Sequence, residues 1–219
     1  MRDSPRTRPA KPALSRESIV GAALRLIDAH GVAGVTMRAV AKEVDTSPGA
    51  LYVYVADRDE LIALAHDEAV AGVELPTDAD GDWRERLELL VRRTVAALAE
   101  HSDLGSFGLT HLDTGPGSLR IVEEILSLLL SGGIEKQACA WAADLIGQYI
   151  SSAALEDVAS RARDDDPATS TVSALYSGLP EERYPTLRLL TPQLTAGDPA
   201  QRAAWKLQVI LNGVIARAQ

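Results

Sequence analysis

Two tyrosines, Tyr52 and Tyr54, stand in a stretch otherwise built of small or smooth residues, SPGALYVYVA from Ser47 to Ala56. A phenol hydroxyl donates a hydrogen bond without carrying charge near neutral pH, so phosphate oxygens suit it. At about 100° per residue, Leu51 and Val55 point one way, and Gly49, Ala50 and Val53 point the other with the tyrosines to either side. A smooth face between two hydroxyl donors suits a helix entering the major groove of DNA, where phosphates flank the bases. Arg38 and Lys42, at i and i+4 just upstream, add a basic face that can reach the backbone or a guanine edge.

The other residues capable of chemistry form no motif. His101 and His111 lie ten positions apart, which is not the i, i+4 spacing of a helical metal pair. Cys139 is the single cysteine, which excludes a disulfide framework within the chain and a cysteine-built zinc site. Asp164-Asp165-Asp166 lacks further oxygen ligands at set spacing. Gly115-Pro116-Gly117 has neither the preceding strand nor the glycine spacing of a phosphate loop. The carboxylates near Glu123 complete no nucleophile or acid–base motif. No catalytic residue, metal or cofactor is expected.

The elements that position the tyrosines follow from their borders. Thr36 caps a first helix, stapled by Val35 and Val40, and Met37, Val40, Ala41 and Val44 form its apolar stripe. Asp45-Thr46-Ser47 breaks it, and Ser47 before Pro48 restarts the helix with a capping hydroxyl and a proline at its first position. Asp57 with Glu60 reads as the capping box of a third helix. Two short helices joined by about three residues describe a helix-turn-helix.

The run Thr36-Met37-Arg38 … Ala41 … Val44 … Ser47-Pro48-Gly49-Ala50-Leu51-Tyr52 … Tyr54-Val55 … Asp57-Arg58-Asp59-Glu60-Leu61 resembles the DNA-binding domain of TetR family transcriptional regulators. The resemblance implies an all-α homodimer with an N-terminal three-helix helix-turn-helix DNA-binding domain. It also implies a larger C-terminal helical domain for ligand binding and dimerisation. DNA contacts are then expected from Thr36, Arg38, Lys42, Ser47, Pro48, Gly49, Ala50, Tyr52, Val53, Tyr54 and Arg58. Repression of transcription, rather than activation, rests on the resemblance alone. Two positions depart from the family pattern. Asp45 stands where glycine is usual, at a helix end that favours positive φ, and Tyr54 stands where histidine is common.

Composition agrees with two unequal helical units. The chain has 219 residues, 46% hydrophobic and 24% charged, with only nine aromatics. No apolar run is long enough to span a bilayer, and the polar, proline-containing start is no signal peptide, so a cytoplasmic protein with no membrane partner is expected. The net charge of −9 is uneven: residues 1–60 hold nine Lys/Arg against eight Asp/Glu, and the rest hold thirteen against twenty-three. Local charge at the contact surface governs phosphate affinity, so the acidic balance predicts a modest salt slope rather than no DNA binding.

In chain order, residues 1–13 form a flexible basic arm in which Arg2, Arg6, Arg8 and Lys11 could follow a minor groove. Residues 14–60 form the DNA-binding domain, its first helix opened by Leu14-Ser15 and closed at Gly31. Residues 61–219 form the effector-binding and dimerisation domain, reached through a helix from about Asp57 to Val73. Helices are then expected from Trp83 to Leu98, around Leu104–Leu112, over Leu119–Leu130, from Ile134 to Arg163, over Glu181–Leu190 and from Asp198 to Ala216. The Asp113–Ser118 segment is expected as a turn and 167–180 as mobile.

A small-molecule effector, largely apolar, is expected between the helices. The candidates, apolar walls with a few polar tips, are Trp83, Phe107, His111, Leu112, Ile125, Trp141, Leu145, Gln148, Tyr149 and Tyr176. A small-residue stripe, Ala138, Ala142, Ile146 and Ala153, and a terminal stripe of Leu207, Ile210, Leu211 and Val214 are expected to meet a second copy. Two-fold pairing would set two recognition helices roughly 34–36 Å apart on a palindromic double-stranded operator.

Overall fold

The computed structural model describes residues 13–111, 114–161, 168–196 and 198–217. Among them every regular element is helical. Helix α1 (Arg16–His30) starts where Ser15 accepts from the Ser18 amide, and Gly31 ends it at φ 69°. Helix α2 (Met37–Glu43) is capped by Thr36, whose hydroxyl accepts from the Ala39 amide at 3.1 Å. Helix α3 (Pro48–Leu51) is a single turn, and α4 (Arg58–Ala71) follows with Asp57 accepting from the Glu60 amide. The box at Asp57 is displaced by one residue, because the Glu60 carboxylate accepts from the Ala56 amide instead.

These four helices close around one apolar core of Ile19, Ala23, Ile27, Val40, Leu51 and Leu61, all buried. Apolar residues of α1 to α3 are too few to exclude water from so small a unit. The deficit is made up by the first half of α4 and by Leu104 and Phe107, which come from a distant 3₁₀ segment, Leu104–Leu109.

The second core belongs to α5 (Trp83–Ala99), α6 (Pro116–Ser131), α7 (Lys136–Arg161) and α10 (Pro199–Arg217). Leu87, Leu90, Leu98, Leu128, Leu129 and Ile146 are the largest of its fully buried side chains. Side chains hold α10 to its neighbours. The Arg84 guanidinium donates to Gln208 and Asn212, Lys206 pairs with Glu156, and the Tyr149 hydroxyl donates to the Ala203 carbonyl at 2.8 Å.

Helices α4 and α6 clasp each other's ends. The Asp67 carboxylate of α4 accepts from the Ser118 amide in the first turn of α6 at 2.8 Å. Arg120 of α6 donates to the Ala71 and Val73 carbonyls at the end of α4, at 2.9 and 2.7 Å. A carboxylate thus meets the positive end of one helix dipole, and a guanidinium meets the negative end of the other.

Three sequence expectations are corrected. The Asp113–Ser118 turn is cut short because Gly115 caps α6 and Pro116 occupies its first position, where a missing N–H costs nothing. Within 167–180, residues Ala168–Ser177 form helix α8, which packs on α9 (Pro185–Thr195). Helix α9 begins four residues later than Glu181, at a proline, and continues through Pro192. The basic arm through residue 12, Leu112 and the acidic triplet lie outside the described residues.

Candidate nucleic-acid interface and interhelical cavity

The face of α3 and the turn after it has the shape that its residue types require. Leu51 and Val55 are buried, while Val53 is 81% and Tyr52 55% exposed. Gly49 is exposed and Ala50 half-buried beside them. The helix-turn-helix break occurs at Asp45, which adopts φ 53°, the left-handed conformation expected at that helix end. Ser47 makes no capping bond through its side chain, in contrast to expectation; Pro48 at the first position fixes the helix start. Arg38 and Lys42 are exposed on α2, and among the described residues neither enters an ion pair.

Two of the expected DNA contacts have their donors committed inside the protein. The Tyr54 hydroxyl donates to the Leu14 carbonyl at 2.8 Å, tying the recognition turn to the entry of α1. The Arg58 guanidinium donates to the Val35 carbonyl at 2.7 Å and to the Val32 carbonyl at 2.8 Å. Both bonds hold the segment between α1 and α2. The sequence signals basic charge at Arg58, but the partner lies 23 to 26 residues away and only folding reveals it.

In the second unit a cavity of about 670 Å³ lies between α5, α7 and α10. Val91, Val95, Ala153, Ala203 and Leu207 give it apolar walls, and Glu88, Arg92, Glu156 and Arg161 stand at its polar edge. Among the effector candidates on described residues, Tyr149 is the one that lines it. Burial, and secondarily the Glu156 carboxylate, pushes the Tyr149 phenol above its ordinary range, so it remains a donor at neutral pH. The volume matches the range of small-molecule sites.

The other effector candidates are dispersed. Ile125 belongs to the second core and Trp83 packs against it, next to Gly132. Phe107 lies in the first core and stacks on His111 with ring centroids 4.1 Å apart. Tyr176 is on α8, away from the cavity lining, and Trp141, Leu145 and Gln148 face outward. A search weighted toward aromatic residues misses this cavity because its apolar lining is mainly alanine and valine, with Tyr149 its single aromatic. The signal available was the alternation of small residues along α7 and α10.

Comparison with known proteins agrees with both units. Residues 19–65 match the family model for bacterial regulatory proteins of the tetR family, and residues 75–218 match the tetracyclin repressor-like C-terminal domain. The chain belongs to the TetR family. It is therefore related to transcriptional regulators rather than to enzymes. A relative, the HTH-type transcriptional repressor DrrR1 of Streptomyces coeruleorubidus, is 30% identical over 95% of this chain and 80% of its own. Apo ActR from Streptomyces coelicolor superposes with a TM-score of 0.83 at 29% identity, over 94% of this chain and 98% of that one. The ActR complex with actinorhodin gives a TM-score of 0.84 at 29% identity with the same coverage. No described helix is long and apolar enough to cross a membrane.

In this TetR-family chain the residues of the expected dimer stripes lie against the chain's own core. Ala142, Ile146, Ala153, Leu207 and Leu211 are buried within one copy, and Ala138, Ile210 and Val214 pack against the same core. Periodicity finds two faces on a helix but does not say which one turns inward. The outward faces are Trp141, 70% exposed, with Leu145 on α7, and Trp205, 67% exposed, with Val209 on α10.

Proposed function

We propose that this TetR-family regulator is a repressor that binds a palindromic operator as a homodimer and is released by a small, largely apolar effector. The observation that carries the reading is the smooth face of exposed Gly49 and Val53 and half-buried Ala50, with Tyr52 beside it, presented by a helix-turn-helix. Arg38, Lys42 and Thr36 extend that face along α2, with Ser47 and Pro48 at the start of α3. Base discrimination then comes from thymine methyls, DNA shape and an Arg38 contact to guanine. Tyr54 and Arg58 act by fixing the frame on which those groups stand.

Pairing through Trp141, Leu145, Trp205 and Val209 supplies the second half-site. Such obligate interfaces bury on the order of 2,000 Å² or more, and large exposed apolar side chains such as these two tryptophans support one here. The effector enters the cavity between α5, α7 and α10, whose apolar walls support an apolar ligand. The binding of actinorhodin by ActR, 29% identical, is support by kinship.

Selection of bound duplexes from a random DNA pool tests the reading, with Tyr52→Ala as control. Enrichment of a palindrome by the parent protein alone is expected. Failure to enrich any sequence at low salt overturns the operator reading, and enrichment of a single half-site overturns the dimer.

A further inference from the structure

We propose that Asp103 is a positioning residue through which displacement of the cavity-lining helix α7 reaches the helix-turn-helix by a route separate from α4. The proposal rests on the effector reading above.

The route begins on α7. Ala153, Glu156 and Asp157 line the cavity, and the residues between and beside them, Ser151, Ala154 and Leu155, meet Gly105 and Gly108 of the 3₁₀ segment. A Cβ on Gly105 would lie 3.1 Å from the Ser151 carbonyl oxygen, and one on Gly108 2.6 Å from the Ser151 hydroxyl. The segment is seated flush on α7, with no slack to absorb a shift of that helix.

Its other side belongs to the DNA-binding unit, where Leu104 is fully buried in the first core. The turn before it passes through Ser102 at φ 43°, in the left-handed region. That turn directs two side chains at the end of α1. His101 Nδ1 lies 2.9 Å from an Asp28 carboxylate oxygen, and the Asp103 carboxylate accepts from the Val32 amide at 2.6 Å. The approach is close enough that a Cβ on Gly31 would stand 3.0 Å from Asp103 Oδ1.

Val32 is therefore held at both ends of its peptide groups. Its N–H is taken by Asp103, from the effector unit, and its carbonyl by Arg58, at the head of α4. Four residues later Thr36 caps α2. Motion of α4 changes the tilt of the whole DNA-binding unit. Motion passed through Asp103 instead moves the entry of α2 within that unit, carrying Arg38 and Lys42.

A double-mutant cycle tests this, with Ala203→Trp as a surrogate occupant of the cavity and the dimer's affinity for its selected duplex as readout. In the parent background Ala203→Trp should weaken binding about tenfold, and in the Asp103→Ala background about twofold or less. The same factor in both backgrounds overturns transmission through Asp103. If Ala203→Trp changes affinity in neither background, the cavity reading fails and transmission falls with it. The positioning role is then decided by amide exchange at Val32. Protection should fall at least about tenfold in Asp103→Ala and return in Asp103→Asn, which keeps an acceptor oxygen. Unchanged protection in Asp103→Ala overturns the positioning role as well.

Discussion

Arg38 and Arg58 look alike in the sequence and play opposite parts in the fold. The Arg38 side chain is exposed on α2, available to a groove, so Arg38→Ala should relax preference at one position of each half-site at a cost of about 1–3 kcal/mol. Repeating the duplex selection with the variant checks it, and an unchanged consensus would remove Arg38 from base readout. Arg58 spends its donors on two carbonyls of the loop that precedes α2. Arg58→Ala should therefore lower the unfolding free energy by about 1–3 kcal/mol, as carbonyls lose a charged donor. Denaturant titration measures that loss. Duplex binding by the variant should keep the parent's salt slope, since no phosphate contact is removed. A shallower slope would return Arg58 to the DNA surface. Tyr54 shows the same economy: the hydroxyl that local geometry aims at a phosphate is tied to the Leu14 carbonyl.

At the scale of helices, borders were legible and facing was not. Capping residues at Ser15, Thr36 and Asp57 and the Ser47-Pro48 restart located α1 to α4 within a residue or two, because those signals are local. The stripe from Ala138 to Ala153 was also visible, but its inward direction depends on α5 and α10, which lie far away in sequence. The cavity escaped for a related reason. Its lining comes from three helices, and no single window of sequence contains it. The clasp between α4 and α6 was equally hidden, since Asp67 and Ser118 are 51 residues apart. A methyl on Gly115 would fall 2.2 Å from Asp67 Cγ. Gly115→Ala should thus expel the carboxylate from the α6 terminus and cost about 1–2 kcal/mol, the value of a lost cap. Thermal unfolding of Gly115→Ala beside Asp67→Ala measures it. Losses that simply add in the double variant would show that the glycine serves some other contact.

For the whole molecule the proposed dimer surface is apolar and lies on helices other than α2 and α3. Trp141 and Trp205 stand exposed on adjoining helices, as does Leu189 on α9 at 74%. Trp141→Glu combined with Trp205→Glu should leave the helix content intact and convert the dimer to a monomer in sedimentation analysis. Palindrome binding should fall by at least about a hundredfold, because one half-site is lost from a bivalent contact. A variant that still sediments as a dimer would move the interface elsewhere, with the α8–α9 pair the next surface to change.

Leu104 and Phe107 complete the first core from beyond α5. That single fact limits how such regulators can be recombined. A graft that exchanges everything after α4 for another sensor exchanges two side chains of the DNA-binding core at the same time. A hybrid made at that seam carries a mismatched plug, whereas one that keeps residues 101–111 with their native helix-turn-helix preserves it. The modular unit is discontinuous in sequence, and the boundary that matters for engineering is a surface rather than a residue number.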